Sequence, residues 1–247
     1  MLKCNFKSIT TSKFGNTADE NEDNLLTPSN ADETLLRFAI SDGATETSFS
    51  KEWSDLLVTY YKDNSFEQDH FGSTLDKASK SWQSIATAIE LPWYAQQKAE
   101  IGAFAAFLGV TINREEFIFN SVAIGDCTLF QVRGNELMLS FPMLKAEEFG
   151  NTPHLLSSNS KYQNGVETQL KYYKGEILPD DTIILATDAI AAWVLKRTEK
   201  GDKPWNSLQC LLSFEDYKTD FQNWLNNKRQ ESEIKNDDVT LIVINFQ

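Results

Sequence analysis

The chain has 247 residues, of which 41% are hydrophobic and 12% aromatic, enough apolar material for a sizeable core and too much for a disordered tract. Lys and Arg number 23 against 36 Asp and Glu, a formal net charge of −13, and a surface that acidic repels nucleic-acid backbones. Cys4, Cys127 and Cys210 are odd in number and widely spaced, so neither a disulfide framework nor a CxxC zinc knuckle follows, and a reducing, cytoplasmic compartment fits best. The segment from Met1 to Phe6 lacks the apolar run of a signal peptide. The longest uncharged apolar stretch, Ile101 to Asn113, is too short to span a bilayer, so no membrane anchor is expected. With no repeat, low-complexity tract or Pro/Gly-rich linker, residues 1–247 are expected to form a single domain.

In chain order, Leu35 to Ser41 (LLRFAIS) has the β-branched and apolar character of a strand. After Thr47-Ser48, Trp53, Leu56, Leu57, Tyr60 and Tyr61 recur at helical spacing, and Leu75 to Ala88 and Tyr94 to Glu100 continue the helical pattern. Phe104 to Ile112, Phe117 to Ile124 and Thr128 to Arg133 follow as strands, broken only at Asn113 to Glu116 and at Gly125-Asp126. The spacing predicts an antiparallel meander. Gly134-Asn135 predicts a tight turn into a strand from Glu136 to Phe141. A polar segment with Pro142, Pro153 and several serines runs from Phe141 to Gly165. Thr182 to Thr187 and Val239 to Asn245 are the last strands, and between them Phe214, Tyr217, Phe221, Trp224 and Leu225 line one face of a helix ending near Lys228-Arg229. Such aromatic stripes face a core more often than a cofactor. Strands in series with helices between them indicate a layered α+β fold.

Five acidic motifs sit where these strands begin or end. They are Asn21-Glu22-Asp23-Asn24, Ser41-Asp42-Gly43, Gly125-Asp126-Cys127, Thr187-Asp188-Ala189 and Asn236-Asp237-Asp238. Each has a plainer reading by itself. Asp42-Gly43 is a common turn, Asp126 suits a hairpin, Asp188 suits a helix N-cap and Asp237-Asp238 a loop. Together, carboxylates gathered at one sheet edge concentrate a charge that requires cations. Oxygen ligands favour Mg²⁺ or Mn²⁺. The two histidines, His70 and His154, without an HxxxH pattern argue against zinc. Two such ions can bind phosphoryl oxygens and acidify a bridging water. Neither a GxSxG nucleophile motif nor a GxxxxGK[ST] phosphate loop competes.

The ordered set NED at Asn21 to Asp23, a strand ending in Asp42-Gly43, GDxxLFxVR at Gly125 to Arg133, a strand ending in Thr187-Asp188, and DDVTL at Asp237 to Leu241 resembles the PP2C family of metal-dependent protein serine/threonine phosphatases. The segments DGATETSFSKEW from Asp42 and TDAIAAW from Thr187 resemble its bacterial branch. The resemblance implies a four-layer α-β-β-α sandwich of two antiparallel sheets with helices outside and two metal ions at one end. It makes Asp42, Asp188 and Asp237 the catalytic metal ligands, Asp42 bridging both ions and the other two holding one. The Gly43 carbonyl would bind the other ion. Glu22 and Asp23 would hold metal-bound waters, and Asp126, with Asp188, a third ion. The polar segment from Phe141 matches the family's flap beside the channel. The implied activity is hydrolysis of phosphate monoesters on a phosphorylated protein by a metal-bridging hydroxide. A non-catalytic domain that binds a phosphorylated partner and an enzyme for small phosphorylated molecules are the alternatives.

Three positions depart from the family pattern. Ala18 stands where an arginine often grips the substrate phosphate, Ala44 where the eukaryotic enzymes have a general-acid histidine, and Ala189 where a glycine is usual. Lys13, in the preceding loop, is the nearest cation that could replace the missing arginine. Cys127 is expected to be a small buried core residue.

Overall fold

The computed structural model describes residues 1–247 except 65, 67, 68, 89–98, 151 and 152. The strands are β1 (Cys4–Thr11), β2 (Asp23–Leu26), β3 (Leu35–Gly43), β4 (Phe104–Asn113), β5 (Ile118–Ile124), β6 (Thr128–Arg133), β7 (Glu136–Phe141), β8 (Leu156–Ser157), β9 (Lys171–Glu176), β10 (Thr182–Ala186) and β11 (Val239–Phe246). The helices are α1 (Ser50–Asn64), α2 (Phe71–Thr87), the single turn α3 (Val166–Gln169), α4 (Asp188–Thr198), α5 (Pro204–Ser213) and α6 (Tyr217–Gln230). One sheet runs β1-β11-β10-β6-β7 and the other β2-β3-β4-β5-β9, with β8 beside β4. Every ladder is antiparallel.

Burial on both faces explains why the central strands carry nearly unbroken apolar runs. Leu36, Phe38 and Ile40 of β3, Ile183 and Leu185 of β10, and Ile242 and Ile244 of β11 meet between the sheets. The alternate residues face outward, as the two-residue period of a strand requires. Ala39, Phe107 and Val122 pack under α1 and α2 against Trp53, Leu57, Tyr61 and Trp82. Ile184, Leu241 and Val243 pack under α4, α5 and α6 against Trp193, Leu208, Phe221 and Leu225. The result is the expected four-layer α-β-β-α sandwich with two antiparallel sheets.

The expected meander breaks at Gly125-Asp126. β4 and β5 pair in one sheet, whereas β6 pairs with β7 and β10 in the other. Gly125 makes the crossing with a φ of +89°, and a Cβ there would lie 2.6 Å from the Ala106 Cβ. The Gly134-Asn135 turn is as expected, since both residues have positive φ and join β6 to β7 in two residues. Phe214 is not on the last long helix. It caps α5, a helix begun by Pro204 that the aromatic stripe obscured, and its ring is exposed. The helix expected over Tyr94 to Glu100 falls largely outside the described residues. Among the described residues, no helix is long and apolar enough to cross a membrane.

The crossing gives a direct test. Gly125→Ala forces both a left-handed alanine and a clash with Ala106, and is expected to cost about 2–4 kcal/mol. Urea unfolding measures it; a loss under about 0.5 kcal/mol, the range of an ordinary surface change, would show that the crossing is not strained by a side chain.

Candidate metal centre

Sheet register brings the acidic motifs to one end of the sandwich. Asp23, the first residue of β2, stands directly opposite Asp42 on β3, an arrangement of like charges that repels by itself. Asp126 follows β5, whose end at Ile124 pairs with Phe107, one residue along β4 from Ala106, the partner of Asp42. In the facing sheet Ala186 of β10 pairs with both Thr128 and Leu241. Asp188, just past β10, and Asp237, just before β11, therefore share that end with Asp126. The turn, hairpin and N-cap readings of these residues fall away. Asp42 lies within a strand, Asp126 lies on the crossing, and Thr187 rather than Asp188 is the N-cap of α4.

The electrostatics follow from this convergence. Burial pushes the Asp42 carboxyl well above the usual range, and Asp23, Asp188, Asp126 and Asp237 each push it further. Burial also raises Asp23, with Asp238 and Asp188 adding to it and hydrogen bonds from Thr240 and Thr187 opposing. Asp126 is pushed up to about 6 by burial and by Asp188. Asp188 is raised by burial and Asp237, with Lys235 opposing. Asp237 goes the other way. Burial would raise it, but Lys235 and Lys13 outweigh burial and hold it below the usual range.

Two oxygens in this cluster, Asp23 Oδ1 and Asp188 Oδ1, are buried with no hydrogen-bond partner among the described residues. A buried anionic oxygen left unpaired is costly, and both fit the hard-oxygen donors that divalent cations take. The fit is incomplete at one point. Among the described residues no three His, Cys, Asp or Glu side chains close around a single centre. The carboxylates share one field, while Asp237 is turned to ammonium partners, Lys235 Nζ at 2.5 Å and Lys13 Nζ at 3.2 Å.

The surrounding chain is held by residues that the motifs did not single out. Asp238, buried beside Asp237, accepts from the Lys13 backbone N at 2.8 Å and the Glu22 backbone N at 2.9 Å, so one carboxylate ties three segments together. Thr187 Oγ1 donates to Asp23 Oδ2 at 3.0 Å and accepts from Thr240 N at 2.9 Å. Thr240 and Asn21 both donate to Thr10 Oγ1 at 2.9 Å, which stitches β2 of one sheet to β1, β10 and β11 of the other. Only the Asp237-Asp238 doublet gave any signal of this in the sequence. Glu22 accepts from Ser50 Oγ and lies 3.8 Å from Lys13 Nζ. Gly43 is closely hemmed, for a Cβ there would lie 2.8 Å from the Ser50 backbone oxygen and 3.0 Å from that of Glu22, so only glycine leaves the backbone in place.

Ala18 opens a short exposed turn, Ala18–Glu20, capped by Thr17 and Glu20, and lines a depression of about 480 Å³ together with Lys13 and Asn21. The Lys13 ammonium donates to Thr45 Oγ1 at 2.7 Å, between the first two acidic motifs and the last. A groove of about 590 Å³ runs from Asp188 and Lys235 between Phe149, on the polar segment after β7, and Trp193 and Lys196 of α4. Cys127 is fully buried in the inter-sheet core, as expected.

A sandwich of this layering with an acidic cluster at one end defines a class of metal-dependent phosphatases. A family model described as protein phosphatase 2C matches residues 16–236, and the chain belongs to that family. Among solved structures, the serine/threonine phosphatase PstP/Ppp of Mycobacterium tuberculosis aligns over 99% of both chains at 14% identity, with a TM-score of 0.59. A catalytic domain of PstP in complex with two manganese ions aligns over 100% of this chain and 99% of that one, at 15% identity and a TM-score of 0.59. RsbX in complex with magnesium aligns over 100% of both chains at 17% identity, with a TM-score of 0.54. At these identities the likeness shows the fold. No curated relative matches the chain.

The hydroxyl stitch can be tested apart from any activity. Thr187→Val keeps the shape and leaves Asp23 Oδ2 and Thr240 N without their partner, and is expected to cost about 1–3 kcal/mol. The exposed Thr87→Val should change stability by less than about 0.5 kcal/mol. Equal effects of the two in urea unfolding would contradict the assigned role of Thr187.

Proposed function

We propose that the chain is a Mn²⁺- or Mg²⁺-dependent protein serine/threonine phosphatase, with residues 1–247 acting as one catalytic unit. The observation that carries this reading is the pair of buried, unpartnered oxygens, on Asp23 and Asp188, inside a cluster that both sheets build. Asp42, the Gly43 carbonyl, Asp188 and Asp237 would hold two ions, with Glu22 and Asp23 gripping their waters and Asp126 joining Asp188 at a third. When bound, the ions neutralise the carboxylates, polarise the phosphoryl oxygens and acidify water.

The chain's own residues do the rest. Asp42 and Asp23 face each other across the β2–β3 ladder, so their spacing is fixed by the sheet and not by flexible loops. Lys13, pinned through its backbone to Asp238, points an ammonium at the same end and pairs with a phosphoryl oxygen in place of the missing arginine. As a point charge it lacks the forked geometry of a guanidinium, so the grip is weaker. The groove beside Asp188 is walled by Phe149 and Trp193 and suits the chain flanking a phosphorylated residue, which favours a protein over a small ester as substrate. The free cysteines suit a cytoplasmic setting.

One observation favours the non-catalytic alternative, binding of a phosphorylated partner. Both Asp237 oxygens already carry an ammonium, and Ala18 removes the usual phosphate grip. A single assay separates the readings, using p-nitrophenyl phosphate and a phosphoserine peptide with Mn²⁺, with Mg²⁺ and with chelator. An enzyme turns over the peptide with either metal and stops with EDTA, and Asp42→Asn lowers kcat by at least about 10³-fold. Full activity in chelator, or none in saturating metal, contradicts the proposal.

The grip and the groove have separate signatures. Lys13→Ala is expected to raise KM and weaken inhibition by inorganic phosphate, and Ala18→Arg to do the reverse, each by about tenfold if the bonds contribute about 1.4 kcal/mol. Unchanged KM in both variants would remove the phosphate site from beside the NED motif. Phe149→Ala should lower selectivity among phosphopeptides while leaving p-nitrophenyl phosphate turnover within about twofold. A loss of both together would assign Phe149 to the chemistry and not to the groove.

A further inference from the structure

Asp237 has two carboxylate oxygens, and an ammonium sits on each. Lys235 Nζ lies 2.5 Å from Oδ2 and Lys13 Nζ 3.2 Å from Oδ1. Lys235 also reaches Asp188 Oδ2 at 3.5 Å. Its single charge therefore spans the two aspartates assigned above to one and the same ion.

The two lysines differ in freedom. The Lys13 side chain is only 19% exposed, and its ammonium has Thr45 and Glu22 as further partners. The Lys235 side chain is 67% exposed, so its ammonium has open water to move into. Its backbone, by contrast, is fixed. Ile234 is buried and its N bonds to the Lys228 carbonyl. Asn236 accepts from Phe14 N at 2.7 Å, and Asp237 N bonds back to the Lys235 carbonyl at 3.0 Å. A fixed base with a mobile charged tip is aimed at the Asp188–Asp237 pair.

We infer that Lys235 is a displaceable internal cation that sets how tightly Asp188 and Asp237 take a divalent ion. The inference rests on the metal reading above. Oδ2 of Asp237 and Oδ2 of Asp188 cannot serve the ammonium and the ion together, and an ammonium left beside a divalent cation is repelled. Metal binding therefore requires Lys235 to swing out. Because its side chain is largely exposed, what is lost is a solvent-screened ion pair and not a buried one. The expected effect on affinity is therefore modest, on the order of tenfold. Without metal, the same contact relieves repulsion between Asp188 and Asp237, so one residue stabilises the metal-free protein and weakens its metal binding.

The test is Mn²⁺ binding to the full chain, followed by the electron paramagnetic resonance signal of the free ion. Lys235→Gln is compared with Lys235→Arg and with Lys200→Gln, which removes an equal charge beyond the far end of α4, roughly 18 Å away by helix rise. Circular dichroism verifies that each variant folds. Lys235→Gln is expected to tighten Mn²⁺ binding about tenfold, while Lys235→Arg and Lys200→Gln stay within about twofold of the parent. Metal-free Lys235→Gln should also melt below the parent, and the order should reverse in saturating Mn²⁺. Unchanged or weaker binding in Lys235→Gln, or equal tightening in Lys200→Gln, overturns the inference while leaving the metal reading intact. No Mn²⁺ binding by either the parent or Lys235→Gln overturns the metal reading and this inference together.

Discussion

Carboxylates placed opposite each other and buried must be compensated, and that constraint organises this molecule. Asp23 and Asp42 are cross-strand partners. Asp126, Asp188 and Asp237 arrive at the same end from the crossing, a helix start and a loop. Each raises or opposes its neighbours' protonation. Left uncompensated, such a cluster would push the two sheets apart at this end. The compensation available within the chain is partial. It consists of the hydroxyl chain through Thr187, Thr240 and Thr10, and of two ammonium groups, from Lys13 and Lys235. Two buried oxygens remain outside it, which is why the site suits cations of higher charge.

The same constraint explains the architecture. A strand covered on both faces can hold its end still, because its side chains are locked between the sheets on one side and under helices on the other. Placing aspartates at the ends of such strands fixes them without help from ligands. The less rigid parts lie around them. The segment carrying Phe149 walls the groove beside Asp188, and the loop before β11 carries Lys235. Rigid carboxylates with adjustable surroundings suit a site whose chemistry is common to a family and whose substrate is particular to one member.

Much of this was legible in the sequence because burial on both faces leaves a strong signature. The apolar runs before Asp42, Asp126 and Asp188 stood out, and the motif order gave the layered fold. What was not legible has physical reasons. A Gly-Asp break reads the same in a hairpin as in a crossing between sheets, so Gly125 did not reveal that β6 leaves its neighbour. Strand β9, KYYKGE, is an exposed edge with charged residues, and such strands lack the alternation that sequence patterns detect. Phe214 sat at helical spacing with the residues after it, although a backbone break at that position separates α5 from α6. The contacts of Asp238, Thr187 and Lys13 join residues more than 50 apart, and no local spacing encodes them.

The central claim is that this acidic end of the sandwich holds divalent cations between the two sheets. Anomalous diffraction at the manganese edge, from crystals soaked in Mn²⁺, tests it most directly. The account predicts at least two anomalous peaks flanking the Asp42 carboxylate, one also bonded to Asp188 and Asp237, with the Lys235 ammonium swung away into solvent. Crystals that diffract well yet show no anomalous peak among these aspartates, with Lys235 still seated on Asp237, would contradict it.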